Sequence, residues 1–177
     1  MKVSIFNGSV RKDGRTAAVT SVLKDAMTAN GARVNEYFLY SMGIKGCLTC
    51  GCGPGKDCAT DLVDKLLDDD IAIFASPIRM QRTTDSLNGF MEMLFHMCRF
   101  DEDTMKKANG KRTAVVLVTS EGTDSADESL RLFAEFFERT GMNFVYSILV
   151  QFDGNEPIIE RHNKENIRRL AERITEG

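Results

Sequence analysis

Four of the five cysteines lie close together along the chain, in a segment rich in glycine. Their pattern is Cys47-x2-Cys50-x-Cys52-x5-Cys58. Four thiolates are the ligand set of a 4Fe–4S cluster, and four cysteines can also bind zinc. Zinc sites more often use two Cys-x2-Cys pairs with a longer separation, which ranks zinc below a cluster. A redox-active pair formed by Cys47 and Cys50, or a loop that keeps its thiols without a metal, are the other interpretations.

A second group of polar residues follows the first apolar run of the chain. Segment 7–16 reads Asn-Gly-Ser-Val-Arg-Lys-Asp-Gly-Arg-Thr, and it leads into a predicted helix, Thr16–Ala29. Backbone N–H groups and the dipole at a helix N-terminus favour an anion such as a phosphate. The hydroxyls of Ser9 and Thr16 can donate hydrogen bonds, and Arg11 and Arg15 can add charge-assisted ones. The spacing fits neither a Walker A loop nor a dinucleotide fingerprint, and the alternative is a capped turn whose charges lie in water.

Apolar runs and helical patterns alternate along the chain, and these elements must position both groups. The predicted strands are Val3–Phe6, Arg33–Leu39, Ile71–Ala75, Arg112–Val118 and Phe144–Val150, and the predicted helices are Thr16–Ala29, Asp61–Asp68, Asp85–Arg99, Ser125–Arg139 and Asn163–Ile174. Five strands separated by helices indicate an α/β fold with a parallel sheet covered on both faces. Ligands of such sheets bind beyond the carboxyl ends of the strands, so the loops after Phe6, Ala75 and Val118 are the expected site.

Length and composition indicate one globular domain over residues 1–177, with a Cys/Gly-rich insertion at 40–60. The net charge of −3 gives no electrostatic footprint for nucleic acid. The first apolar stretch ends at Asn7-Gly8, too early for a signal peptide, and no apolar run is long enough to span a membrane. We therefore expect a cytoplasmic protein, in which clustered cysteines serve metal or redox chemistry more often than disulfides.

Three segments carry a resemblance that follows the order of the chain. They are Gly8-Ser9-x-Arg11-x-x-Gly14-x-Thr16, then Phe74-Ala75-Ser76-Pro77-Ile78, then Leu87-Asn88-Gly89-Phe90. The first resembles the phosphate loop of the flavodoxin-like NADPH-dependent FMN reductase family, and the other two resemble its Ser-Pro-Val/Ile-Tyr segment and the helix that follows. The cysteine-rich segment is similar to that of the iron–sulfur flavoprotein branch.

This resemblance implies a flavodoxin-like, doubly wound five-stranded sheet of order 2-1-3-4-5, with FMN at its carboxyl edge. Residues of three loops would hold the cofactor. They are Ser9, Arg11, Arg15, Thr16 and Ala17 around the phosphate, Ser76, Pro77, Ile78, Arg79 and Met80 along the ribityl chain and one side of the isoalloxazine, and Thr119, Ser120, Glu121 and Gly122 at the other edge of the ring. A catalytic side chain is not required, because flavin N5 carries the chemistry.

The chain departs from the family pattern at two places. Relatives commonly carry an aromatic residue where this chain has Arg79-Met80. The Arg79 guanidinium either stacks on the ring, where its charge would favour a reduced, anionic flavin, or points into solvent. In the iron–sulfur branch two residues usually separate the second and third cysteines, whereas one residue separates Cys50 from Cys52.

The function implied by the resemblance is an FMN-dependent oxidoreductase. It would take a hydride from NAD(P)H, a transient co-substrate, and pass electrons to a small acceptor such as a quinone, a free flavin or an electron carrier. The alternative is an iron–sulfur flavoprotein that exchanges electrons with ferredoxin through a cluster on Cys47, Cys50, Cys52 and Cys58, and a cofactor-free flavodoxin-like module is a third. Dimers are common in this family, and the apolar residues Met93, Phe95 and Phe100 lie partly off the core stripe of the predicted helix Asp85–Arg99. Together these imply a homodimer or homotetramer. Cys98 on that helix is expected to be a small core residue.

Overall fold

The computed structural model describes residues 1–44, 58–120, 126–152 and 161–176. Strands and helices alternate throughout. The strands are β1 (Lys2–Asn7), β2 (Arg33–Phe38), β3 (Ile71–Ile78), β4 (Arg112–Thr119) and β5 (Asn143–Gln151), and the helices are α1 (Arg15–Ala29), α2 (Cys58–Asp68), α3 (Asp85–Phe100), α4 (Glu102–Ala108), α5 (Asp127–Thr140) and α6 (Arg161–Glu176). A short 3-10 helix covers Tyr40–Met42.

The five strands form one parallel sheet in the order β2-β1-β3-β4-β5. Apolar side chains on one face of the sheet pack against α2, α3 and α5, and those on the other face pack against α1 and α6. The central strands are apolar on both faces because each face is covered by helices. The predicted α/β class, the doubly wound layers and the strand order are thereby confirmed.

Strand β3 is longer than predicted, and this shapes the edge where ligands bind. The apolar run was expected to end at Ala75, but β3 continues through Ser76, Pro77 and Ile78 and pairs with β4 as far as Thr119. β1 ends opposite Ala75, so β3 extends about 10 Å beyond it at ~3.3 Å per residue. A proline is tolerated here because β3 is bordered by β4 alone, past the end of the β1–β3 ladder.

Two short elements have no counterpart in the sequence prediction. Helix α4 begins after Asp101, whose carboxylate accepts hydrogen bonds from the backbone N–H groups of Asp103 (3.3 Å) and Thr104 (3.2 Å). The other is the 3-10 helix, which lies at the start of the predicted Cys/Gly-rich insertion, 40–60. Both are too short for a helical repeat to show in the sequence. Among the described residues, no helix combines the length and apolar character needed to cross a bilayer.

Candidate functional site

A cleft of about 850 Å³ lies at the carboxyl edge of the sheet. Its size is within the range of ~300–1,000 Å³ that small-molecule sites occupy. The loops after β1, β3 and β4 all contribute to it. The described residues that line it are Ser9, Val10, Arg11, Gly14, Arg15, Thr16, Tyr40, Pro77, Ile78, Arg79, Arg82, Thr83, Thr84, Asp85, Ser86, Val118, Thr119 and Ser120.

The first wall of the cleft is the N-terminus of α1. Its N-cap residue is Gly14, which has no side chain to cap the helix. Thr16 and Ala17 lie in the first turn and are buried, with Thr16 lining the cleft. The first-turn N–H groups of a helix have no partner within the helix and attract anions. A phosphate therefore fits this wall, with hydroxyls of the loop beside it.

Buried hydrogen bonds fix the loop that leads into α1. Asn7 ends β1, and its side-chain oxygen accepts a hydrogen bond from the N–H of Ser9 (2.9 Å). Its amide nitrogen donates to Glu36 Oε1 (2.9 Å) and to Thr20 Oγ1 (3.2 Å). Thr20 Oγ1 in turn donates to the same Glu36 oxygen (2.6 Å). One carboxylate of β2 thus holds both the end of β1 and the first turns of α1 in place.

Gly8 allows the loops after β1 and β3 to approach each other closely. Its N–H donates to the Ala75 carbonyl (2.8 Å), and its own carbonyl accepts from Ser86 Oγ (3.1 Å). A Cβ on Gly8 would collide with Thr84 Oγ1 and would lie 2.9 Å from Leu87 Cβ. A glycine is required here because the start of α3 occupies the space that any side chain would need.

The second wall is a tight turn at the end of β3. Arg79 and Arg82 exchange two backbone hydrogen bonds, of 3.1 and 3.0 Å, across the intervening Met80 and Gln81. Met80 and Gln81 have φ values of 51° and 62°, which are those of a type I′ turn. Such turns favour Asn-Gly, so this pair of residues is under backbone strain. Met80 at the tip is 84% exposed.

Positive charge dominates the described lining of the cleft. Arg11, Arg15, Arg79 and Arg82 contribute four guanidinium groups, and Asp85 is the one acidic residue among the described lining residues. Arg11 Nε is 3.2 Å from Asp13 Oδ1 at the surface, and this contact lowers the pKa of Asp13. The guanidinium of Arg15 lies 5.2 Å from the centre of the Phe152 ring. An anionic ligand matches this lining.

The structure brings together residues from all three predicted loops. The predicted residues that line the cleft are Ser9, Arg11, Arg15, Thr16, Pro77, Ile78, Arg79, Thr119 and Ser120. Three others lie near it. Ala17 is buried in the first turn of α1, Met80 is at the turn tip, and Ser76 is fully buried behind the wall, where its Oγ accepts from the N–H of Thr84 (3.2 Å).

Several predicted residues fall outside the described residues. These are Glu121, Gly122, Cys47, Cys50 and Cys52, and the side chain of Cys58, the first residue of α2, is also outside them. The cluster on these cysteines therefore stays a prediction. Within the described ranges, no group of three His, Cys, Asp or Glu side chains could hold a metal ion.

Tyr40 and a run of lining residues before and within α3 were not predicted from the sequence. The run is Arg82, Thr83, Thr84, Asp85 and Ser86. A signal was present, because hydroxyl and acidic residues before an apolar helical stripe mark a helix N-terminus. Tyr40 carried no such signal, since it reaches the cleft only through the turn of the 3-10 helix.

Comparison with known proteins agrees with this architecture. Residues 1–153 match the family described as NADPH-dependent FMN reductase. No curated protein matches the sequence significantly.

Solved structures share the fold at low sequence identity. RosB with bound 8-demethyl-8-formylriboflavin 5′-phosphate superposes with a TM-score of 0.78 at 15% identity, covering 99% of this chain and 78% of that one. An NAD(P)H:quinone oxidoreductase from Methanothermobacter marburgensis gives 0.71 at 14% identity, covering 99% and 95%. A flavodoxin from Streptococcus pneumoniae gives 0.65 at 18% identity, covering 97% and 96%. The chain belongs to the NADPH-dependent FMN reductase family and is a flavodoxin-like oxidoreductase with FMN as its cofactor.

Proposed function

We propose that this protein oxidises NAD(P)H and reduces a small acceptor, with FMN bound in the cleft at the carboxyl edge. The observation that carries the proposal is the N-terminus of α1, which has a glycine at the N-cap and lines the cleft beside Arg11 and Arg15. A helix start left without a cap costs stability unless a ligand supplies the missing acceptor. In this proposal the phosphate of FMN is that acceptor, in the role that a capping side chain has at other helices.

The chain contributes binding and orientation to this reaction. When bound, FMN supplies the hydride and electron chemistry, while the protein sets its position and electrostatics. Thr16 offers a hydroxyl donor at the phosphate wall, and Ser9 Oγ, which donates to the Arg11 carbonyl (3.0 Å), holds the loop beside it. Pro77 and Ile78 add apolar surface to the lining of the cleft. The arginines of the cleft favour negative charge within it, which eases the acceptance of electrons.

Arg79 gives this proposal a test that does not depend on turnover. The residue is exposed and begins the tight turn at the mouth of the cleft. If its guanidinium lies against the bound flavin, Arg79→Ala lowers the midpoint potential of FMN because a positive charge is lost. An unchanged potential in the FMN-loaded variant would show that the Arg79 guanidinium does not lie against the flavin ring.

The acceptor is proposed from family membership and from the open cleft. A quinone, a free flavin or another small carrier would take the electrons that NAD(P)H supplies as hydride. The decisive experiment is purification of the protein with FMN, a visible spectrum, and steady-state oxidation of NADPH and NADH with a soluble quinone. Flavin-like absorption with turnover of either nucleotide supports the proposal, and inactivity of the FMN-loaded protein with both nucleotides contradicts it.

The four cysteines favour one alternative, an iron–sulfur flavoprotein that exchanges electrons with ferredoxin. Their number matches a 4Fe–4S ligand set, although the Cys50-x-Cys52 spacing is one residue short of the branch pattern. Iron and sulfide analysis of protein purified without oxygen distinguishes the two functions. Four iron atoms per chain and a brown colour support the shuttle, and iron-free protein with full FMN contradicts it.

We also propose that the chain forms a homodimer or homotetramer through the outer face of α3. Phe100 is 75% exposed, and Met93 and Phe95 are half-buried on the same helix. Exposed apolar surface of this kind is typical of subunit contacts. Sedimentation of the protein and of Phe100→Ser tests this: the variant should lower the mass of the assembly, and a monomeric wild-type protein contradicts the proposal.

A further inference from the structure

We propose that Arg79 and Arg82 form a second anion site in the cleft, which recognises the phosphate monoester on the adenosine ribose of NADPH. This inference rests on the proposed function, since it names the form of nicotinamide nucleotide that the site selects. It is carried by the turn at the end of β3, whose geometry was not foreseen from the sequence.

The two guanidinium groups start from directly opposite positions. Arg79 and Arg82 exchange both backbone N–H···O hydrogen bonds, so they form a hydrogen-bonded antiparallel pair. Residues in such a pair have Cα atoms about 5.5 Å apart and side chains on the same face. Both residues are exposed and both line the cleft. The pair therefore presents two positive charges to one region of the cleft.

Two like charges at opposite positions repel each other, and a ligand can relieve that repulsion. Directly opposite like charges destabilise a strand pair. Among the described residues, neither Arg79 nor Arg82 forms an ion pair with a carboxylate. Asp85, the acidic residue among the described lining residues, is not within ion-pair distance of either one. An anion placed between the two guanidinium groups would neutralise both.

The turn that holds the pair is strained and anchored. Met80 and Gln81 both have positive φ, although neither is glycine, asparagine or aspartate. Ser129 of α5 donates a hydrogen bond from its hydroxyl to the Gln81 carbonyl (3.3 Å), which ties the turn to the helix layer. Strained backbone of this kind persists where the surroundings hold it, and it collects at ligand-binding sites.

This pair is separate from the wall that suits the flavin phosphate. Arg11, Arg15 and the start of α1 follow the end of β1, whereas the turn follows β3, which extends about 10 Å further. FMN carries one phosphate, so a second phosphate in the cleft must belong to another molecule. A monoester has a second pKa near ~6 and is close to a dianion at neutral pH, which matches two adjacent guanidinium groups better than a singly charged diphosphate oxygen does.

Binding of a redox-inert probe to the FMN-loaded protein tests the site. Adenosine 2′,5′-bisphosphate carries the monoester in question, and 5′-AMP lacks it. By titration calorimetry, we expect the wild-type protein to bind the bisphosphate about tenfold more tightly than 5′-AMP, and we expect Arg82→Ala to abolish that preference. Arg79→Gln should have the same effect, and it serves if Arg82→Ala does not fold. The matched control is Arg168→Ala, which removes an exposed arginine of α6 outside the cleft lining and should keep the preference.

Two results would overturn the site. One is equal preference for the bisphosphate in the wild type, Arg82→Ala and Arg79→Gln. The other is weaker FMN binding in Arg82→Ala with the nucleotide preference intact, because this would assign the arginine to the flavin phosphate.

Turnover separates this inference from the proposed function. A rise of about tenfold in KM for NADPH, with KM for NADH unchanged in Arg82→Ala, supports both. Preference for the bisphosphate in a protein that oxidises neither nucleotide would sustain the site and refute the function. If the wild type oxidises both nucleotides and Arg82→Ala leaves their KM values unaltered, the proposed function holds and the second anion site is refuted.

Discussion

At the amino end of the sheet, polar and charged groups bond to one another, whereas at the carboxyl end they line a cleft. At the amino end, the Ser4 hydroxyl donates to the Asp69 carboxylate, and the Lys2 backbone N–H donates to Asp70 Oδ2 (2.7 Å). Lys111 Nζ donates to the carbonyls of Leu67 (2.8 Å) and Asp69. Burial lowers the pKa of Lys111, and the neighbouring carboxylates oppose that shift. Polar groups at this end are bonded to one another, so the chain itself completes them.

At the carboxyl end, the corresponding groups face a cleft. Helices α1 and α4 make the contrast direct, because the start of α4 is capped by the Asp101 carboxylate whereas the start of α1 has a glycine at the N-cap. The same unsatisfied N–H groups arise at both helices. At α4 a carboxylate of the chain accepts from these N–H groups, whereas the start of α1 lines the cleft, where the proposed function places a phosphate.

Gly14→Asp should break this contrast with the largest effect. The N-cap has φ of −84°, which any residue can adopt, and a Cβ there would lie 3.3 Å from both Cβ and the carbonyl oxygen of Arg11. After a shift of a few tenths of an ångström in this exposed loop, an aspartate can cap α1 as Asp101 caps α4. Its carboxylate would repel the phosphate and occupy its donors, and we expect FMN to bind about a hundredfold more weakly, or ~2.7 kcal/mol. Fluorescence titration of FMN measures this, and thermal unfolding checks that the variant stays folded, since the new cap offsets the close contacts with Arg11.

Two variants complete that experiment. Leu132→Asp adds the same charge at an exposed position of α5 and should leave FMN affinity unchanged. Asp101→Ala is the reciprocal change, which should lower the melting temperature by roughly 2–4 °C and leave FMN affinity unchanged. Normal FMN affinity in Gly14→Asp would show that the phosphate does not use the start of α1.

Lys111→Met tests the amino end. The substitution leaves two carbonyls, those of Leu67 and Asp69, without their donor, and an unsatisfied group of this kind costs ~1–3 kcal/mol. We expect a loss of about 2 kcal/mol in the free energy of unfolding by urea titration, with FMN affinity retained. Lys107→Met, at an exposed position of α4, should change stability by less than ~0.5 kcal/mol. Loss of FMN binding by Lys111→Met in its folded state would contradict a separation of the two ends.

The buried thiol of Cys98 on α3 should make stability depend on pH. Burial, with a smaller contribution from Asp101, raises the pKa of this thiol from 9.0 to about 11. The unfolded chain loses the proton first, so the contribution to stability is present below pH 9 and is lost as the pH rises from 9 to 11. The wild type should lose roughly 1–2 kcal/mol more than Cys98→Ala over that interval. Parallel pH profiles of the two proteins would contradict the burial argument, and FMN affinity at pH 7 should be equal in both.

The strained turn gives the smallest expected effect. Replacing Met80-Gln81 by Asn-Gly supplies the residues that a type I′ turn favours, and we expect about 1 kcal/mol of added stability with the turn retained. Glu138→Gly on α5 serves as a control of opposite sign, since a glycine within a helix should lower the free energy of unfolding by ~1 kcal/mol. An unchanged or lower stability of the turn variant would mean that the strain is relieved in another way.

Sequence patterns located the strands and the first wall of the cleft because each depends on residue type. The short apolar run that starts at Ile71 favours a buried strand between helices, and the hydroxyl and guanidinium groups of segment 7–16 led to the prediction of a phosphate loop, which stays a prediction. The strand order came from the family resemblance rather than from the residues.

The second wall escaped prediction because it depends on backbone geometry. Met80 and Gln81 are not residues that favour turns, so the sequence did not predict the backbone hydrogen bonds that pair Arg79 with Arg82. The extension of β3 through Pro77 was hidden for a similar reason, since proline usually ends a strand unless a neighbouring strand has already stopped. Tertiary context decided both features.

The bonds among Asn7, Thr20 and Glu36 bear on how fast the protein captures its cofactor. They connect three elements and hold the Ser9 N–H without help from any ligand. The loop is therefore preorganised, and the entropy of ordering it is lost during folding rather than at the moment of association. Capture of FMN by the empty protein should then be a single-step encounter, limited by diffusion and orientation instead of by a rearrangement of the chain.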